Sequence, residues 1–424
     1  MKVLIVGGGG REHAIAWKLK QSPLVTEIVC APGNGGIAEI ARCIPVQAED
    51  LDGIVALAEK ELPDLAVIGP ETPLALGITD RLEALGVKVF GPNKKCAQLE
   101  ASKSFTKRFL ERHGIPTARY REYTDKDSLM ADIGIFGFPM VLKADGLAAG
   151  KGVIIAKDRA EAEAGIKQIM GVREFGAAGD RVVVEELLRG TEASVLCFVD
   201  ESSIIPMESA QDYKRIFDRD EGPNTGGMGN YSPSLLFSDE LDLKVAEEIL
   251  LPTFEGFKKD GLDFRGVLFV GLMLTKDGPK VIEFNNRFGD PETQAVLPRL
   301  KTDLAEIMLA VADGRLADTE IDWDYDLRTV CVVMASGGYP GSYEKGKIIS
   351  GLGSLPEDAL VFHAGTRASE IGDLLTDGGR VLGVVGRGGS HEEAVAKAYE
   401  GVGRISFEGA CYRNDIGAIY DSGE

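Results

Sequence analysis

Polar and apolar positions in the first hundred residues follow two alternating periods. Four short, nearly continuous apolar runs, KVLIV, EIVCA, LAVIG and VKVFG, are separated by longer segments with helical spacing. Such an alternation predicts a parallel sheet with helices on both faces. Next, SKSFTKRFLERHG predicts a helix that ends at Gly114 and is stopped by Pro116. Residues from about 121 to 187 read as a small mixed unit, with strands at FPMVLKA, GVIIA and RVVVEELL and a helix at AEAEAGIKQIM. A larger unit from 188 to about 312 supplies strands at SVLCFVD, VLFVGLML and KVIEFN. The tail, from about 326, has strands at TVCVVMAS, ALVFHAG and RVLGVVG and an amphipathic helix at HEEAVAKAYEGV. No internal repeat or low-complexity tract interrupts the pattern.

Composition changes this picture little. The 424 residues suggest about three domains, and 44% hydrophobic with 27% charged residues is ordinary for a soluble globular chain. No apolar run reaches the roughly 18 residues of a membrane helix, and the N-terminus enters a strand instead of a signal peptide. These features predict a cytoplasmic protein with no membrane partner. A net charge of −20 argues against nucleic acid as a partner, but not against a small phosphate ligand held by local lysines and amides. The six cysteines show no CxxC and no zinc spacing, which predicts reduced thiols.

Candidate chemistry is densest in VIEFNNRFGDPETQ, Val281 to Gln294. Strand alternation puts Glu283, Asn285 and Arg287 on one face. A carboxylate and an amide oxygen two positions apart suit a hard cation, Mg²⁺ or Mn²⁺. Arg287 suits the phosphate or carboxylate that such a cation accompanies. A second candidate is LKADGLAAGKGV, where Gly146, Gly150 and Gly152 let backbone amides fold over polyphosphate. Lys143 closes the preceding strand, facing α/β-phosphates, and Lys151 on the loop faces the γ-phosphate. A P-loop is excluded because Gly152 stands where Ser or Thr is required.

The first strand leads into Gly8, Gly9 and Gly10 and then a helix, an anion-binding arrangement or simply a packing turn. The dinucleotide fingerprint fails there, since Glu12 or His13 occupies the third glycine position. Glu71, after another apolar strand, either accepts a ribose hydroxyl or caps the following helix.

These residues, together with GGGGREHA, SKSFTK, QDYKR, GPNTGGMGNYSP and YRNDIG in that order, resemble the glycinamide ribonucleotide synthetases (phosphoribosylamine–glycine ligases), ATP-grasp enzymes of purine biosynthesis. The resemblance spans the whole chain. It implies an α/β architecture: an N-terminal doubly wound parallel-sheet domain (1–100), ATP-grasp central domains (101–325, with a mobile subdomain at about 121–187) and a small α+β C-terminal domain (326–424). It also implies ATP, glycine and phosphoribosylamine as substrates, Mg²⁺ or Mn²⁺ as cofactor, and a monomer.

Site roles follow from the same resemblance. Gly8, Gly9 and Gly10 would hold the phosphoribosylamine phosphate. Lys103 would add a phosphate contact, Glu185, Glu186 and Leu188 would form the adenine hinge, and Glu192 would hold ribose hydroxyls. Glu186 alternatively forms a solvated rim. QDYKRIFDRDEGPNTGGMGNYSP reads as a mobile lid, with Asp212 and Lys214 taking the glycine ammonium and carboxylate. Arg287 and Lys143 would be catalytic. The VLFVGLML strand carries no acid, so Glu283 and Asn285 are the only protein ligands expected for the metal. Competing expectations are another ATP-grasp carboxylate–amine ligase, a dehydrogenase, which the failed fingerprint disfavours, and a non-catalytic nucleotide sensor.

Overall fold

The computed structural model describes residues 1–147, 152–171, 176–356 and 358–418. Five parallel strands open the chain, in the spatial order Arg42–Cys43, Glu27–Pro32, Lys2–Gly7, Leu65–Ile68 and Lys88–Phe90. Val3 and Ile5 enter one core with Ile15 of the helix Gly10–Leu19, while Leu4 and Val6 enter another with Ile54 and Leu57 of the helix Leu51–Glu61. With both faces covered, Val3 to Val6, Ile28 to Ala31 and Leu65 to Ile68 are buried throughout, which is why these runs are continuously apolar. The chain order reverses beside Lys2–Gly7, so the glycine turn and the loop at Gly69 lie together at the carboxyl edge of the sheet, where such folds bind ligands.

The strands Tyr120–Tyr123, Val182–Glu186, Met140–Ala144 and Val153–Ala156 form an antiparallel sheet with its own core around Leu129, Leu142, Ile166 and Val184. A second antiparallel sheet runs Ile204–Pro206, Thr191–Val199, Gly266–Thr275 and Gly278–Asn285. The last large sheet contains Arg328–Ala335, Arg380–Gly388 and Leu360–His363, with the helix His391–Arg404 sharing its core.

One expectation needs correction. The segment read as a mobile lid is built of strands: Gln211–Asp212 and Gly229–Ser232 join the C-terminal sheet, and Arg215–Phe217 pairs with Glu221–Asn224 as a hairpin. Tyr213 and Tyr231 are buried in the C-terminal core. Two of the acids that suggest a solvated loop, Asp218 and Asp220, are partnered by the C-terminal segment, which also holds the backbone of Arg219. Arg413 binds Asp220 at 2.7 Å, Asn414 N–H donates to Asp218, and Arg219 N–H donates to Asp415. YRNDIG is therefore the anchor of this hairpin.

Candidate active site

The strand Gly278–Asn285 carries the site's central carboxylate. Gly271 pairs with Glu283 and Leu272 with Val281, leaving Ile282 as a bulge. Strict alternation would place Val281 on the Glu283 face; the bulge resets the period. Val281 and Phe284 both enter the core, and Glu283 and Asn285 remain accessible on the other side. Burial alone would raise the Glu283 carboxyl, but Lys214, Lys143, Lys103 and Arg287 together hold it below its ordinary range.

Two buried lysines share one acid beside this strand. Lys143 Nζ lies 2.9 Å and Lys107 Nζ 3.2 Å from Glu185 Oε1. Lys143 also donates to the bulge carbonyl of Ile282 at 3.3 Å, so the bulge that exposes Glu283 fixes this lysine as well. Burial lowers Lys107 to about 8 despite Glu185. Lys103, lowered by burial, donates to Gly146 O at 2.9 Å.

Asp145 connects the glycine loop to the start of the helix Lys103–Arg112. Its carboxylate accepts from Ser104 N–H at 3.1 Å, from Ser104 Oγ at 2.5 Å and from Ser102 Oγ at 3.1 Å. Gly152 closes the loop's base, accepting from Ala144 N–H at 2.8 Å. Gly150 and Lys151 lie outside the described residues.

The hinge expectation divides. Leu187 and Leu188 are half-buried just beyond the strand Val182–Glu186. Glu185 faces the lysines, and Glu186 binds Arg119 Nε at 2.7 Å and accepts from its N–H. Both carboxylates are thus engaged by protein cations. Glu186 is half-buried against Arg119, and the backbone and leucines that follow it remain turned to the proposed hinge.

Arg287 stands between three acceptors. Its Nη2 lies 3.2 Å from Glu100 Oε1 and 3.4 Å from Asn285 Oδ1, and its Nε lies 3.5 Å from Glu71. Nε donates no hydrogen bond. Burial would lower this guanidinium, but Glu100, Glu71, Glu292 and Glu283 raise it further above its ordinary value. Glu71 opens the helix Glu71–Leu76 and its carboxylate faces Arg287. Burial pushes Glu100 up to about 7 in spite of Arg287.

The glycine turn packs closely against its neighbours. Gly9 N–H donates to Glu12 Oε2 at 2.6 Å, and Asn34 Nδ2 donates to Gly8 O at 2.8 Å. One of the three glycine amides expected to hold a phosphate is thus taken by Glu12 of the first helical turn. What the glycines provide is close approach: a Cβ on Gly10 would overlap Gln294, and one on Gly9 would meet Glu12 and approach Asp290.

Asp212 and Lys214 flank the same space. Lys214 lies 2.9 Å from Glu192 Oε2, and Glu192 and Glu283 raise it above its ordinary range although burial opposes them. Asp212 Oδ1 is buried without a hydrogen-bond partner. Burial and the nearby Glu292 push its carboxyl well up. The structure thus pairs Lys214 and Glu192, two residues assigned to different ligands by sequence reasoning.

Residues 1–100, 101–293 and 329–419 match the N, ATP-grasp (A) and C domains of phosphoribosylglycinamide synthetase, respectively. Over 420 residues the chain is 48% identical to phosphoribosylamine–glycine ligase of Caldanaerobacter subterraneus subsp. tengcongensis, covering 99% of this chain and 100% of that one. The chain belongs to the phosphoribosylglycinamide synthetase family. It is also 52% identical to the trifunctional purine biosynthetic protein adenosine-3 of Gallus gallus, covering 98% of this chain and 42% of that protein. The crystal structure of phosphoribosylamine–glycine ligase from Thermotoga maritima superposes with a TM-score of 0.86 at 37% identity, covering 98% of this chain and 100% of that one. Biotin carboxylase of Campylobacter jejuni, at 15% identity and a TM-score of 0.76, covering 97% and 92%, shares the fold.

Within this synthetase fold, sequence reasoning missed Lys107, Glu100, Glu12 and Asp145. Lys103 and Lys107 are spaced i, i+4 on one helix, which offered a signal. Glu100 reaches Arg287 and the N–H of Asn286 across 186 positions of chain, and no local pattern announces that. A cavity of about 1070 Å³ lined by Phe217, Tyr339 and Tyr412 includes none of these charged groups.

Proposed function

We infer that this synthetase joins glycine to phosphoribosylamine, with ATP converted to ADP and phosphate through glycyl phosphate, as a cytoplasmic step of purine biosynthesis. The observation that carries the reading is the convergence of Lys103, Lys143, Lys214 and Arg287, from separate segments, around the ionised Glu283. Cations gathered in this way can turn from their protein acids to a polyanion. In the first step a carboxylate oxygen of glycine attacks the γ-phosphorus, the bond to the β-phosphate oxygen breaks and ADP leaves. In the second, the amine of phosphoribosylamine forms the amide bond and phosphate departs.

Two anions must meet in the first step. Lys143, fixed by Glu185 and the Ile282 carbonyl, and Arg287, held between Glu71 and Glu100, are set to offset the charge that develops on the transferred group. Asp212, whose Oδ1 is buried without a hydrogen-bond partner among the described residues, is suited to the glycine ammonium. Glu192 and Lys214 separate to serve ribose hydroxyls and the glycine carboxylate.

The donor set fits a divalent cation: Glu283, held ionised, and the Asn285 oxygen two residues on. One or two protein oxygens with phosphate and water are what Mg²⁺ takes, and Mn²⁺ fits the same donors. When bound, the ion would neutralise phosphate charge. ADP release measured with glycine and freshly made phosphoribosylamine, each omitted in turn, tests the reading. Release that depends on both supports it; release indifferent to glycine overturns it.

A further inference from the structure

A residue of the C-terminal domain reaches into this site. Arg380 opens the strand Arg380–Gly388, and its guanidinium is largely enclosed. Nη1 donates to Gly226 O at 2.6 Å and to Asp290 O at 2.7 Å; Nη2 lies 3.4 Å from Asp290 Oδ2. The two carbonyls belong to different segments, GPNTGGMG and RFGDPE. Each touches the site in turn. A Cβ on Gly227 would overlap Pro291 and stand 3.0 Å from Asp212 Oδ1, whereas Asp290 Oδ2 lies 3.4 Å from where a Gly9 Cβ would sit. Tyr339, also of the C-terminal domain, accepts from Gly226 N–H at 3.0 Å.

We propose that Arg380 is a positioning residue that clamps the GPNTGGMG and RFGDPE segments together, so that Asp212, Arg287 and the glycine turn keep one geometry for both non-nucleotide substrates. A planar fork can hold two carbonyls and a carboxylate at once, which a lysine's point charge cannot. Among the described residues, none of its partners belongs to the lysine and glycine-loop side of the site, so nucleotide binding should not depend on it. This deepens the ligase reading and rests on it.

The test uses the full chain, Arg380→Ala and Arg380→Lys. Wild-type turnover is measured first, and its absence strikes the ligase reading alone. Hydrogen exchange reads the clamp without turnover: amides in 222–230 and 287–294 should exchange faster in Arg380→Ala, with those of the helix Lys103–Arg112 unchanged. Kinetically, kcat/KM for glycine and for phosphoribosylamine should fall about tenfold to a hundredfold, while KM for ATP stays within about twofold. Arg380→Lys should recover little, and millimolar guanidinium should restore part of the Arg380→Ala loss without changing the wild type. Unchanged exchange and kinetics, or a KM for ATP rising in parallel with the others, would overturn the proposal.

Discussion

At the scale of single residues the site is a set of opposed charges, and the consequences differ by position. Glu283→Gln keeps shape but removes the proposed ligand's charge. Metal-dependent turnover should fall at least about tenfold to a hundredfold, with the thermal midpoint nearly unchanged; normal activity at limiting Mg²⁺ would remove Glu283 from the metal site. Lys143→Met should lower kcat about a hundredfold or more, measured by ADP release at saturating substrates, and unchanged ATP use would take it out of the phosphate site. Both residues were legible in the sequence because motif and strand position coincide. Glu100 and Glu12 were not, since their roles depend on contacts made only when distant or turn-forming backbone closes around them.

Elements explain why the reading of local periodicity went as far as it did. Strands buried on two faces announce themselves as apolar runs, and four of the five opening strands lie where those runs stand, the short edge strand Arg42–Cys43 excepted. The segment Gln211–Ser232 reads as a loop because the partners of Asp220 and Asp218, Arg413 and Asn414, lie nearly 200 residues away. The bulge at Ile282 was equally hidden, as it is a property of pairing with Gly271 and Leu272. The Asp145 connection belongs to this scale too. Asp145→Ala would release two serines and one helix amide, so stability should drop by about 1–2 kcal/mol. KM for ATP should rise while KM for glycine holds, as initial rates would reveal; a pure stability loss would confine Asp145 to capping.

For the whole molecule, the junction of first and last domains carries a pH dependence. His363 N–H donates to His13 Nδ1 at 2.8 Å, between the helix Gly10–Leu19 and the strand Leu360–His363. Burial, with His363 close by, lowers His13 to about 3, and burial lowers His363 to about 4. Both fall below the unfolded value near 6.5, so protons favour the unfolded chain. The contribution is complete above about pH 6.5 and lost as pH falls toward 4, by up to about 1.4 kcal/mol per pH unit for each histidine. Urea midpoints at pH 7.5 and 5.0 should therefore differ more for the wild type than for a His13→Leu/His363→Leu variant, and equal differences would exclude the pair. Sequence could not join these histidines, 350 positions apart.

The central claim is that lysines, Arg287 and Glu283 converge to transfer a γ-phosphoryl group to a carboxylate. Glycine labelled with ¹⁸O in both carboxylate oxygens tests it most directly. During synthesis one label should pass to inorganic phosphate and the other remain in the product amide, with ADP formed in step. Appearance of AMP and pyrophosphate, or of phosphate without label, would contradict the account.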